Sequence, residues 1–274
     1  MNEIRDLVHQ LHDVDPSNSF RAQQKLRAVV DQLDWSDAVL REEIAGSLAA
    51  ELAATVSGQS DDPNLQFGYA TYLRTLAKQT GQDETDIATR PKHSVKARIL
   101  LCELLGQVGS DDQASALEEA LEDPRIRDAA RRALERIGSP VAVGYLIEAL
   151  SRHHDPVFRL GVIGSLAKQR WRNSMAALRK LTNDPDASIR LAAAEALAEY
   201  PETANDAFIL AANDDTSRGQ ARIGASRVRL AGTLVSYGNL AGAAEVLKSV
   251  VNDPGNGPWK GAARRELTRV LAFR

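Results

Sequence analysis

Asp184-Pro185-Asp186-Ala187-Ser188-Ile189-Arg190-Leu191-Ala192-Ala193-Ala194-Glu195-Ala196-Leu197 is the stretch on which the fold turns. An Asp-Pro dipeptide is followed by an apolar-Arg pair and then by an alanine-rich run of helical period. The same order recurs at Asp123-Pro124 with Ile126-Arg127 and at Asp155-Pro156 with Phe158-Arg159, so the apolar-Arg pairs lie 32 and 31 residues apart. Upstream, Ala97-Arg98 falls 29 residues before Ile126-Arg127, and the two segments close alike, on Val108-Gly109 and Ile137-Gly138. Downstream, Arg227 continues the series at a looser spacing of 37, and a further Asp-Pro stands at Asp253-Pro254. A recurring interval of this size marks a repeat architecture.

Each unit resolves into two helices. From Arg125 to Ile137, the residues Ile126, Ala129, Ala130, Ala133, Leu134 and Ile137 form one stripe, with Arg127, Arg131, Arg132, Glu135 and Arg136 largely off it. Gly138-Ser139-Pro140 stops that helix, and a second stripe follows at Val141, Val143, Leu146, Ile147 and Leu150. The proline of each Asp-Pro suits the first turn of the next helix, where its missing N–H is not needed, and the aspartate can cap the free amides. Neither helix alone can bury its stripe, so successive pairs must stack. The expected fold is all-α, a right-handed α-solenoid of antiparallel helix pairs.

The pattern of Asp-Pro followed within one to three residues by apolar-Arg-x-Ala-Ala-x-x-Ala-Leu, as in Asp184 to Leu197, resembles the HEAT repeat, especially its short bacterial HEAT-like form as found in phycobilisome lyases, over residues 94 to 215. The resemblance implies that the Arg-bearing helices line a concave face. It also implies that Arg98, Arg127, Arg159, Arg190 and Arg227 form a structural ladder with aspartates of neighbouring repeats. One departure stands out. In the third unit the apolar-Gly-x-Pro turn is replaced by Gln169-Arg170-Trp171-Arg172-Asn173, which places an aromatic between two cations at an inter-repeat turn. Tryptophan flanked by arginines can anchor a partner surface or a base. It can also fold back to fill the gap left by the missing turn residues, and both readings stay open. The turn before this unit is lengthened to Ser151-Arg152-His153-His154-Asp155, where adjacent histidines are expected to be solvated.

The two ends read differently. Residues 1–81 form an N-terminal helical region, either divergent repeats or a cap, with helices from Asn2 to Val14 (Ile4, Leu7, Val8 and Leu11 inward), from about Ser19 to Leu33 (Phe20, Leu26, Val29 and Val30 inward), from Ser36 to Val56 with Ser36 as cap, and from Asn64 to Lys78. Residues 82–93 are polar, contain Pro91 and form the expected linker or loop. In residues 216–274, which continue the solenoid, the run from Arg227 to Val251 is similar to a single tetratricopeptide helix pair. The final helix, about Pro258 to Phe273, would bury Trp259, Ala263, Leu267, Val270 and Leu271 and expose Arg264, Arg265, Arg269 and Arg274 as a basic cap.

Composition agrees with close helix packing, since 42 of the 274 residues are alanine and only 5% are aromatic. The net charge of -3 averages unlike segments: residues 1–93 carry -6, 94–215 carry -4 and 216–274 carry +7. Acidic repeats repel a phosphate backbone laid along them, which disfavours nucleic acid as the main partner. No apolar run approaches the ~20 residues of a membrane span, the start lacks a signal-peptide pattern, and a single cysteine, Cys102, fits a reducing compartment. Those features suggest a cytoplasmic chain.

No glycine-rich phosphate loop, His-Glu-x-x-His helix or nucleophile elbow occurs, and His9/His12, which share one helical face, read as a solvated pair like His153/His154 rather than as metal ligands. The repeated His-Glu pairs of di-iron HEAT-like hydroxylases are missing too. The expected function is therefore non-catalytic, with no cofactor and no metal: a helical-repeat scaffold holding a protein partner through its concave groove and the edge turn. The contact residues expected are Arg131, Arg132 and Glu195 on repeat helices and Arg170, Trp171 and Arg172 on the edge. The alternatives are a nucleic-acid-binding protein like the HEAT-like DNA glycosylases, or a bilin-lyase-like subunit. Oligomeric state is left open.

Overall fold

A computed structural model describes residues 2–11, 15–57, 95–253 and 257–272. Among these there are fourteen helices and no strand. They run as α1 (Asn2–Gln10), α2 (Pro16–Asp31), α3 (Ala38–Ser57), α4 (Val95–Val108), α5 (Asp111–Ala120), α6 (Arg127–Ile137), α7 (Pro140–Arg152), α8 (Pro156–Gln169), α9 (Arg172–Leu181), α10 (Ala187–Leu197), α11 (Asn205–Ala211), α12 (Ser217–Ser236), α13 (Leu240–Asn252) and α14 (Gly257–Ala272). The chain forms two compact units, Met1–Tyr145 and Leu146–Arg274. The helix expected at Asn64 to Lys78, the linker at 82–93, His12 of the His9/His12 pair, Pro254 to Asn256 and Arg274 lie outside the described residues.

The fold is an all-α solenoid of helix pairs. In the second unit α8, α10, α12 and α14 stack in that order. The second helix of each pair sits between them, with α9 against α8 and α10, α11 against α10 and α12, and α13 against α12 and α14. In the first unit α4 packs on α2, α3 and α6, while α5 packs on α3 and α6. Small residues permit this closeness. A Cβ added at Gly106 in α4 would lie 2.8 Å from the Ala133 Cα of α6, inside van der Waals contact. The core is mostly apolar, with Leu100, Leu104, Leu134, Leu166, Leu197, Leu230 and Leu247 buried, each worth roughly 1.5–3 kcal/mol of burial.

Local rules set the helix ends. Gly138 ends α6 in the left-handed conformation at φ 62°, as glycine does at helix C-termini. The Asp155 carboxylate accepts the Val157 N–H at 3.0 Å and puts Pro156 in the first turn of α8. The same arrangement opens α2, where Asp15 accepts the Ser17 N–H at 2.8 Å and Pro16 begins the helix. That start is three residues earlier than expected and reveals an Asp-Pro the repeat pattern had passed over. At Asp123-Pro124 and Asp184-Pro185 the proline precedes the helix. The cap of α10 is Asp186, which accepts the Ser188 N–H at 2.8 Å.

Several expected positions move. Phe20 is 59% exposed, because the buried stripe of α2 is Ala22, Leu26 and Val30, each four residues on, and Phe20 lies off that line. Ser36 does not cap α3. Its hydroxyl donates to Asp34, and Asp37 accepts the Leu40 N–H at 2.9 Å instead. In α7 Val141 is exposed. In α14 Ala263 and Val270 are buried, but Leu271 is 44% exposed, one position round the helix from Val270. The helix pair expected from Arg227 begins ten residues sooner, at Ser217.

Candidate functional site

Three arginines of the expected ladder reach an aspartate at a near-constant offset. Arg98 donates to Asp123 at 2.5 Å and Arg159 to Asp184 at 2.6 Å, both 25 residues on, and Arg227 to Asp253 at 2.8 Å, 26 on. Each partner opens the next repeat, so one ion pair fixes the register of one stacked pair on another. The geometry favours the ionised carboxylate. Asp123 is held far below the usual carboxylate range by its bonds to Arg125 and Arg98, against the opposing effect of burial. Burial pushes Asp184 up, but the hydrogen bond from Arg159, the Asp186 N–H and the Arg159 charge together outweigh it and the net shift is downward.

Arg127 is half-buried at the start of α6. One ladder position differs. Arg190 donates to backbone carbonyls, to Asp184 at 2.8 Å and Asn213 at 3.2 Å. Here Asp214-Asp215 replaces Asp-Pro, and Asp214 is taken up by Thr216, whose N–H and hydroxyl it accepts at 2.8 and 2.6 Å.

The expected contact residues fall into two groups. Arg131 and Arg132 lie in the first unit and both pair with Asp128 of their own helix at 2.8 Å, Arg131 also with Glu135 at 3.1 Å. Arg132 stays exposed and Arg131 is largely covered. Glu195, Arg170, Trp171 and Arg172 lie in the second unit. Glu195 of α10 accepts two hydrogen bonds from Arg222 of α12, at 2.7 and 3.0 Å, and this bidentate pair raises the Arg222 pKa. The pair is a second link between stacked first helices, on the solvent side of the buried ladder.

The edge turn after α8 is more elaborate than its sequence. Arg170 occupies the left-handed position at φ 53°, the one non-glycine with positive φ among the described residues. It stands where Gly138 stands two helices earlier. Its guanidinium donates to Glu199 at 2.9 Å, at the end of α10. It also lies within hydrogen-bonding reach of the Tyr237 hydroxyl just beyond α12, and that contact, ahead of Glu199, raises its pKa. Arg229 of α12 approaches the same Glu199 at 3.6 Å. Trp171 is 40% exposed and Tyr237 60%; Arg172 is exposed. One glutamate thus ties the end of α8 to the end of α10 and to Arg229 within α12, and Trp171 and Tyr237, next to Arg170, reach solvent.

Support for this edge comes from beneath. Buried Tyr200 donates to the Leu166 carbonyl of α8 at 2.8 Å, the carbonyl that also accepts the Arg170 N–H at 3.3 Å. Burial raises the Tyr200 pKa to about 12, so the hydroxyl remains a donor. One repeat on, Thr233 donates to the Ala198 carbonyl at the end of α10 at 2.8 Å. In both places the next repeat donates to a carbonyl at the end of a helix, where the intrahelical ladder runs out. Tyr200, Thr233, Glu199, Arg229 and Tyr237 were not anticipated. The signal that could have found them is the repeat interval itself, since Glu199 lies 29 residues after Arg170.

The chemistry available here is recognition by charge, hydrogen bonding and aromatic surface. Among the described residues no group of histidine, cysteine and carboxylates could hold a metal ion, and no helix is long and apolar enough to cross a membrane. Cys102 is fully buried, and burial raises its thiol pKa to about 12.

Comparison with known proteins places this geometry in context. The family model for HEAT repeats matches residues 85–167 and 145–228. No curated protein matches the chain. A structure of human deoxyhypusine hydroxylase in complex with glycerol aligns at 16% identity and a TM-score of 0.35 over 100% of this chain and 97% of that one. An engineered protein aligns at 18% identity and a TM-score of 0.35 over 98% and 82%. Neither alignment is close enough to carry an inference.

Proposed function

From the premise that this chain belongs to the HEAT-repeat family, we propose that it is a non-catalytic scaffold that holds another protein on the exposed side of its stacked first helices and at the edge turn of the second unit. The observation that carries this reading is the Arg170, Trp171 and Tyr237 cluster. A residue strained by its left-handed backbone is retained at a surface turn, two aromatics are exposed beside it, and buried hydrogen bonds hold the platform in place. Aromatic and arginine side chains on a preformed surface are the residues that dominate protein interfaces, and an extended array offers contact area without a deep pocket.

The cytoplasm is the proposed compartment, on the strength of the single buried cysteine. Affinity capture from the native source, with the retained proteins identified by mass spectrometry, tests the proposal. A partner retained by the wild-type chain and lost with the Trp171→Ala, Tyr237→Ala double variant, whose melting temperature stays within a few degrees of the parent, is the expected result. Equal retention by both chains would remove the edge from the interface.

A further inference from the structure

We infer that the edge turn takes an acidic segment of the partner protein, with an apolar side chain seated against Trp171 and Tyr237. This rests on the scaffold reading and adds the chemistry of what is held. Arg170 and Arg229 both meet the one carboxylate Glu199, with Arg172 exposed two residues beyond Arg170. The surrounding unit, Leu146–Arg274, has 18 Lys and Arg against 13 Asp and Glu, net +5. Charge complementarity therefore selects a negative partner.

The distribution of charge selects the kind. Arg170 and Arg229 share Glu199, Arg229 at the longer 3.6 Å and with its side chain 58% exposed. Arg172 makes no ion pair among the described residues. An incoming carboxylate gains Arg172 outright and draws Arg229 away from a loosely held contact, while Arg170 keeps Glu199 and stays oriented. A nucleic acid strand fits less well. Its phosphates would pass Glu199 and, one turn back on α10, Glu195, and the cations are grouped at one turn rather than spaced along a track. A peptide carrying acidic and apolar residues side by side matches both halves of the site.

The test uses the full chain and three fluorescent probes: a peptide alternating Glu and Leu, its Lys and Leu counterpart, and a single-stranded oligodeoxynucleotide. Binding is followed by anisotropy at low and moderate salt. The expected result is that the acidic peptide binds, loosens as salt rises, and is weakened at least about tenfold by Arg172→Glu with Arg229→Glu. Arg264→Glu with Arg265→Glu, on the exposed side of α14 in the same basic unit, leaves it nearly unchanged. Arg172→Gln with Arg229→Gln is the milder pair should charge reversal disturb folding, which circular dichroism reads directly. Equal or tighter binding of the basic peptide, tighter binding of the oligonucleotide, no binding of the acidic peptide, or an equal loss in the α14 variant would each overturn the inference. A partner captured through Trp171 and Tyr237 that carries no acidic segment would leave the scaffold reading standing and remove this one alone.

Discussion

Arg227 has no exposed surface yet carries a charge, and four hydrogen bonds account for it: two to Asp206, one to Asp253 and one to Ser249. Truncating it would leave two largely covered carboxylates facing each other, a loss of about 3–5 kcal/mol. Arg190 donates only to carbonyls, which water can serve once the side chain is gone. Arg227→Met is therefore expected to lower the urea midpoint far more than Arg190→Met, and equal losses would show that the acidic partners are not what confines Arg227. The same reasoning gives a pH dependence at Asp123. Its folded pKa is depressed, so its contribution is complete above the unfolded value of about 3.9 and is lost as pH falls from there toward the folded value. Melting curves taken from pH 6 down to pH 3 are expected to fall in the acid range, and to fall less steeply for Asp123→Asn. Cys102 allows a third test. A thiol raised to about 12 and shielded by packing is expected to resist alkylation at pH 8 in the native chain and to react at once in urea.

Helices show why part of this was legible in sequence. The Asp-Pro, apolar-Arg and alanine run exposed the repeat because each feature acts within one helix or at its end, where spacing along the chain equals position in space. Gly138 at the end of α6 is such a feature. Arg170 was visible only as a break in the pattern, since nothing in its own neighbourhood says that Glu199 and Tyr237 will meet it; those contacts depend on how far one pair is displaced on the next. Phe20 and Ser36 were misplaced for a smaller reason, the competition between two neighbouring residues for one stripe or one cap. Close packing supplies the prediction at this scale. Gly106→Ala drives a methyl to within 2.8 Å of the Ala133 backbone, where no flexible side chain can yield. The α4 and α6 contact must open, at about 1–3 kcal/mol, whereas Gly144→Ala in α7, with nothing within 4 Å, is expected to be neutral or stabilising. Thermal melts of the two variants, compared with the parent, decide it.

Within each unit the helix pairs form a line in which neighbouring first helices touch, as α4 touches α6 and α10 touches α8 and α12. Stability in such a line is a sum of local terms and neighbour terms, and charge is sorted along the sequence too, with -8 on Met1–Tyr145 and +5 on Leu146–Arg274. A defect inside one unit is therefore felt first by the helices packed on it. Hydrogen exchange read by mass spectrometry makes this visible, because amides report the opening of the segment that holds them. In the Gly106→Ala variant, peptides from α4 and α6 are expected to lose protection most and those from α3 and α5 less, while α12 and α13 keep the protection of the parent. The Arg227→Met variant is expected to show the reverse, with α12 and α13 opening and α4 and α6 unchanged. A uniform loss in either variant would mean that the chain opens as one cooperative body, and the neighbour-by-neighbour account of its stability would then fail.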